Sequence, residues 1–327
     1  MEEWIADSIT GLDIGQPQSH RNLTVFPLLD EDTGPEYLTL GEALDEGLIT
    51  VTEVGESGAV SKLRVKNEGE VPVLLLDGEE LAGAKQNRVL NTTIFVPANS
   101  EVIVPVSCTE QGRWSYRSRG FEDSGHAMPA RHRGRKSQSV SESLESEQGF
   151  TSDQREVWDG VDEMQAEADA SSPTDAMRDV YEDREDDLRS YLDAFGPVDG
   201  QHGLLAVIGG RPVGFDVLSR SEAYGRLHAK LVKSYAMDAI LREEGETAEP
   251  DEDIAEAFLR EAAGCEGRSY DSPGHGTDWR FQGDRLVGSA LTFRKVLIHA
   301  AFFRVDGDEG DETGRMSSFR RRRGFRQ

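Results

Sequence analysis

The chain has 327 residues, 36% of them hydrophobic, and its 62 acidic against 36 basic side chains leave a formal charge of −26. This supports one large or two smaller folded domains rather than wholesale disorder, and such negative charge disfavours nonspecific nucleic-acid or membrane-surface binding. No stretch approaches the roughly 18 apolar residues of a membrane span, and the start Met1-Glu2-Glu3-Trp4 lacks the basic and apolar run of a secretory signal, so a cytoplasmic protein is expected.

Cys108 and Cys265 form neither a CxxC pair nor a framework of bridges. Lysine is scarce, at 7 against 29 arginines, and acids crowd the loops. That halophilic-like balance resembles surfaces on which dense carboxylates hold hydration in high salt, which is adaptation rather than function.

From Leu48 to Val106 the runs ITVTEV, KLRVKN, VPVLLL, RVL, TTIFV and EVIVPV are rich in β-branched residues and broken by Gly, Pro and Asn. They predict a compact antiparallel sheet or sandwich. Val71 to Leu76 is apolar almost throughout, as in a strand covered on both faces, and it delivers its end to Asp77-Gly78. Residues 117–152 carry Arg117, Arg119, Arg131, His132, Arg133, Arg135 and Lys136, then a Ser/Glu-rich run, and read as a mobile linker or lid.

A helical block follows, with Trp158, Val161 and Met164 at helical spacing, Ser172-Pro173 as cap and first turn, and Met177 to Phe195 behind it. Leu204–Ile208 and Pro212–Leu218 form a predicted hairpin across Gly209-Gly210, and Leu286–Phe293 and Val296–Val305 a second across Arg294-Lys295. Two helices lie between them, one carrying Tyr224, Leu227, Leu231 and Tyr235, the other starting near Pro250. The expected class is α+β, with an antiparallel, sandwich-like, β-rich N-terminal half and a helical and β-hairpin C-terminal half. The expected parts are a β-rich domain over 1–118, a flexible basic and serine-rich insert over 119–152, a part over 153–306 packed on the first, and a disordered tail over 307–327.

The run Asp77-Gly78-Glu79-Glu80-Leu81-Ala82-Gly83-Ala84-Lys85-Gln86-Asn87-Arg88 packs acids, bases and amides between core strands. Its carboxylates suit acid/base work or a cation, and Lys85 and Arg88 an anionic substrate. Equally, the charges pair across a hairpin as a structural feature. Ser107-Cys108-Thr109-Glu110-Gln111-Gly112-Arg113-Trp114 again follows an apolar strand. Cys108 has no nearby His to activate it and reads as a small buried hydrophobe, while Trp114 either stacks a nucleobase or caps the core. His299, inside an apolar strand, either points into a pocket or is a satisfied core histidine. His126, His132, His202 and His275 make no metal motif, and Gly209 to Gly214 lacks Walker and Rossmann spacing.

The stretches LGEALDEGLITVTEVGESGAV, VLLLDGEELAGAKQNRVLNTTIFVPA, PVSCTEQGRW, LVKSYAMDAI and LIHAAFF resemble the ADP-ribosylglycohydrolase-and-rhodanese/phosphatase-associated protein domain family. The matching positions are Asp77, Glu79, Glu80, Lys85, Gln86, Asn87, Arg88, Asn91, Cys108, Glu110, Arg113, Trp114, Ser234, Tyr235, Asp238 and His299. The family's name points to enzymes of ADP-ribose and nucleotide-sugar processing, so the resemblance implies a nucleotide- or ADP-ribose-type phosphorylated ligand. On that expectation Lys85, Arg88 and Arg113 meet phosphate oxygens and Trp114 stacks adenine. Asp77, Gln86, Asn87 and Asn91 complete the ligand contacts, and Glu79, Glu80, Glu110 and His299 supply acid/base chemistry or recruit Mg²⁺. The rival expectation is a non-catalytic β-sandwich module that binds a partner protein, with the polar run as a hydrogen-bonded staple. A site needs these side chains to converge on a cavity, whereas a staple leaves them paired with no pocket.

Overall fold

The computed structural model describes residues 1–55, 61–242 and 250–305, so the expected tail over 307–327 lies outside the described residues. Helix α1 (Glu3–Thr10) buries Ile5 and Ile9 and is followed by β1 (Asp13–Ile14), β2 (Gln18–His20), β3 (Leu23–Leu29) and β4 (Leu38–Thr39). A capping box between Thr39 and Glu42 starts α2 (Leu40–Asp45). The β-rich stretch comprises β5 (Ile49–Glu53), β6 (Lys62–Asn67), β7 (Val73–Leu75), β8 (Glu79–Gly83), β9 (Arg88–Leu90), β10 (Ile94–Val96), β11 (Ser100–Cys108) and β12 (Phe121–Ala127). Then come α3 (Ala130–Glu145), α4 (Gln154–Ala168), α5 (Met177–Asp183) and α6 (Glu185–Ala194). The chain continues through β13 (Gln201–Ile208), β14 (Arg211–Leu218), α7 (Ser221–Arg242), α8 (Glu252–Ala263), β15 (Glu266–Asp271), β16 (Thr277–Gln282), β17 (Leu286–Phe293) and β18 (Val296–Arg304).

The class is the expected α+β with a β-rich N-terminal half. Strands β12-β8-β9-β11-β6-β5 form one sheet, and β10-β7-β4 pack on it as a second. Their shared core holds Leu63, Val65, Val73, Leu75, Leu81, Ile94, Val104 and Val106. The largest sheet has the order β1-β3-β13-β14-β18-β17-β16-β15, with β2 on β3. Alternation along β13 explains its unbroken apolar run. Leu204, Ala206 and Ile208 join a core with α4 to α7, whereas Leu205 and Val207 join another with α1 and α8, so helices cover both faces.

Both predicted hairpins turn where expected. Gly209 (φ 55) and Gly210 (φ 75) supply the consecutive left-handed residues of a tight hairpin, and Arg294 (φ 52) and Lys295 (φ 63) adopt the same conformation at about 1 kcal/mol each. No helix among the described residues is long and apolar enough to cross a membrane.

Three expectations are corrected. The first three strands pair into the largest sheet, with Phe26 opposite Leu205, so a boundary near residue 118 does not separate two domains. The segment expected as a flexible insert is β12 and α3, in which His132, Arg133, Lys136 and Val140 are buried. Its low hydropathy is misleading because its cations meet buried carboxylates. Helix α5 begins at Met177 rather than at Ser172-Pro173, because the Ser172 hydroxyl accepts from Ala176 N at 2.8 Å and holds the preceding turn.

Candidate functional site

Antiparallel return puts the two polar stretches side by side, since β11 pairs with β9 so that Cys108 faces Arg88. The loop between β8 and β9 carries Lys85, Gln86 and Asn87 directly against the residues after β11. Arg113 ties them together: Nε and Nη2 donate to the Glu110 carboxylate at 2.7 and 2.6 Å, and Nη1 donates to the Ala84 and Ser115 carbonyls at 2.8 Å each. Glu110 also accepts from Asn87 N at 3.1 Å and the Thr174 hydroxyl at 2.8 Å. Burial would raise the Glu110 pKa, but Arg113, Thr174 and Asn87 outweigh it and hold the carboxyl below its usual range. Gln86 donates to the Glu110 carbonyl at 2.8 Å and accepts from Arg88 Nη1 at 3.0 Å. Asn91 donates to the Phe150 carbonyl and accepts from the Ser107 hydroxyl.

Gln86, Asn87, Arg88, Glu110 and Arg113 therefore come together, but as an internal lattice. Arg88 is fully buried and Arg113 is 6% exposed, with their donors turned inward. Trp114 does not cap the core, since it is 52% exposed beside Tyr116 at 55%, and Lys85 Nζ lies 5.2 and 5.1 Å from their ring centres. Cys108 is the buried hydrophobe its context suggests, with burial pushing its thiol up and its Sγ donating to the Glu110 carbonyl at 3.2 Å.

A second lattice joins the sheets. Lys136 donates to Asp77 Oδ1, and Arg133 grips Asp216 through both terminal nitrogens at 3.0 and 2.6 Å with Nε 3.7 Å from Asp77. Gly78 (φ 85) is required beneath it, because a Cβ there would stand 2.8 Å from Arg133 Cδ. His299, proposed from sequence as catalytic, is the satisfied core histidine: wholly buried, it bonds Thr93 Oγ1 at 2.9 Å and Asp216 at 3.2 Å.

Glu79 and Glu80 point elsewhere, to a cluster that residue reading did not assemble. Strand β12 pairs with β8 through Asp123, loses register, and resumes at Ala127 opposite Glu79, so that Ser124, Gly125 and His126 bulge out. Helix α7 crosses this bulge. Its Lys230 Nζ bridges Glu79 at 2.5 Å and Asp123 at 2.6 Å. One turn on, half-buried Lys233 donates to the Gly125 carbonyl and lies 3.2 Å from His126 Nδ1. Among the described residues no carboxylate comes within 4.0 Å of its Nζ. Burial and the Lys230 ammonium pull Lys233 down to about 8.

Burial and the charges of Lys233, Arg178 and Lys230 pull His126 down to about 3, so its ring is neutral and Nδ1 accepts from Lys233. Glu80 is pushed up to about 7 by complete burial, only partly offset by Thr109, Ser124 and Arg178. Its Oε1 accepts from Thr109 Oγ1 at 2.7 Å, and its Oε2 has no hydrogen-bond partner. Among the described residues no three His, Cys, Asp or Glu side chains are grouped to hold a metal ion. The signal available in sequence for this cluster is lysine itself: of seven in the chain, two stand three positions apart on one helix.

The described residues thus form an α+β body whose sheets are tied by buried ion pairs, with shifted titratable groups gathered at one strand bulge. The chain belongs to the family of ARG and Rhodanese-Phosphatase-superfamily-associated Protein domains, whose family model matches residues 11–303. No curated protein and no solved structure matches it.

Proposed function

We propose that the chain binds a small anionic ligand of the nucleotide or ADP-ribose type, and that the anion sits at the β12 bulge rather than in the Arg88 and Arg113 lattice. The observation that carries this reading is Lys233, a half-buried cation held by a carbonyl and a neutral imidazole, with no carboxylate among the described residues within 4.0 Å and the charges of Asp123 and Glu185 acting only from farther off. Lys230 and Arg178 add positive potential around the same ring. A phosphate oxygen here would replace water at a desolvated ammonium, where charge-assisted hydrogen bonds are strongest. Arg88 keeps Nε and Nη2 without hydrogen-bond partners, but its guanidinium is wholly buried with Nη2 3.8 Å from Glu53, and Arg113 is engaged by Glu110 and backbone carbonyls, so neither opens toward a phosphate.

Thermal unfolding in ADP-ribose, nucleotides and inorganic pyrophosphate, with and without Mg²⁺, tests the reading. A ligand at 100 times its Kd is expected to add about 2.7 kcal/mol. The Lys233→Met variant should fold and lose the shift; an unchanged shift in that variant, or none with any of these anions in the native chain, sinks the proposal.

Exposed Trp114 and Tyr116 favour a second reading, a module that docks a partner protein. Two large aromatics beside Arg117 and Arg119, on a loop that Arg113 braces, have the composition of interface hot spots. On the ligand reading, Trp114→Ala/Tyr116→Ala leaves the anion shift intact.

A further inference from the structure

We propose that Lys233 is a nucleophilic amine that condenses with the carbonyl group of an aldehyde or ketone bearing an anionic substituent. This rests on the β12 bulge being the anion site, and it adds a covalent step. Among the seven lysines, Lys230 and Lys136 are locked in carboxylate pairs, Lys85 lies between two rings, and Lys62, Lys66 and Lys295 stand on the open surface. Lys233 alone among the described lysines combines partial burial, a second ammonium one turn away and a hydrogen-bond acceptor on an imidazole ring. Burial and a neighbouring cation are what release an amine's proton early, and the downward pull on Lys233 has those two causes in that order.

The step balances without an oxidant. Lys233 first gives its ammonium proton to solvent. The free Nζ lone pair then forms a C–N bond as the carbonyl π bond opens onto oxygen, which takes up a proton. Nζ loses one proton, and the resulting hydroxyl takes another and departs as water, leaving a C=N bond. His126 Nδ1, facing Nζ at 3.2 Å, orients the amine while it carries hydrogen. Glu80, the residue before Asp123's partner Leu81 and beside Ser124 of the bulge, is a carboxyl of the adjoining strand that burial pushes up to about 7.

Pyridoxal 5′-phosphate, an aldehyde with a phosphate group, is a suitable probe. The full chain is treated at pH 7.5 with one equivalent of it and cyanoborohydride, and labelled peptides are quantified by mass spectrometry. Lys233 should exceed Lys62, Lys66 and Lys295 by on the order of tenfold or more, since an amine that deprotonates two pH units earlier presents roughly a hundredfold more free base near neutrality. Labelling that follows exposure, with the surface lysines first, overturns the proposal. Lys233→Arg keeps the charge and should remove the label. Should that variant not fold, the native chain still decides: a labelling rate with its midpoint near pH 8 supports the proposal, and a rate at Lys233 still climbing steeply beyond pH 10 defeats it.

Pyridoxal without the phosphate separates the two ideas. Equal labelling of Lys233 by both aldehydes keeps the nucleophile and removes the anion site. Thermal stabilisation by pyrophosphate without any labelling of Lys233 keeps the anion site and removes the nucleophile.

Discussion

Replacing Arg133 by methionine is expected to lower stability by about 3–5 kcal/mol, the range for removing one partner of a buried ion pair. The guanidinium is wholly buried, grips Asp216 with two hydrogen bonds and stands 4.7 Å over the Phe303 ring. Burial would push Asp216 up, yet Arg133 and His299 hold its carboxyl far below the usual range, so the loss strands a charged group. Adding Asp216→Asn should restore much of the loss, because the stranded charge goes with it. Urea midpoints at unchanged m measure both variants. A cost under about 1 kcal/mol for the single variant would show that the lattice contributes little. The same physics extends to Arg88 and Arg113, whose removal should also cost stability, because Arg113 pairs with Glu110 and Arg88 lies buried 3.8 Å from Glu53.

The second large effect is a pH dependence at Glu80. Its carboxyl titrates near 4.5 when unfolded and is pushed up to about 7 when folded, so the folded state binds its proton more tightly. The group's stabilising contribution is thus full below pH 4.5 and is lost as pH rises through 7. Carrying the charge above that range costs on the order of 3 kcal/mol. Glu80→Gln should accordingly be close to neutral at pH 4.5 and should stabilise the chain by pH 8, as read by chemical unfolding at the two values. Equal effects at both would mean that burial does not shift the Glu80 carboxyl in the fold. Since Oε2 lacks a partner, the neutral side chain meets no lost ion pair there.

The strand pattern was legible wherever side-chain alternation or turn chemistry carried it. Gly209-Gly210 announces its hairpin, and two apolar runs place the turn at Arg294-Lys295 although neither residue favours the conformation it adopts. Residues 119–152 were misread because composition cannot show what a cation meets: Arg133 and Lys136 resemble a solvated run until Asp216 and Asp77 are brought to them from distant strands. The early strand β3, with Pro27 inside it, escaped notice because its partner lies in the second half of the chain.

The candidate site divides in the same way. Contact between the stretches around Arg88 and Arg113 follows from antiparallel return, which a reader of the sequence can infer. The direction of their guanidiniums does not, because pairing with Glu110 or with a ligand demands the same residue types. The β12 bulge needed three-dimensional knowledge altogether, since Lys233 and His126 are 107 residues apart.

The position of β3 in the largest sheet, between β1 and β13, also constrains the order in which the chain can assemble. Residues 38–127 contain every strand of the two smaller sheets, so that body can close from nearby segments as soon as it leaves the ribosome. The pairing of Phe26 with Leu205 must wait for some 180 further residues. Until then β3 exposes an apolar edge, and closing so long a loop carries an entropic penalty that local hairpins escape. Refolding should therefore show an early phase from the smaller sheets and a slower one from closure of the large sheet, during which the unpaired β3 is the segment most open to pairing with a second chain.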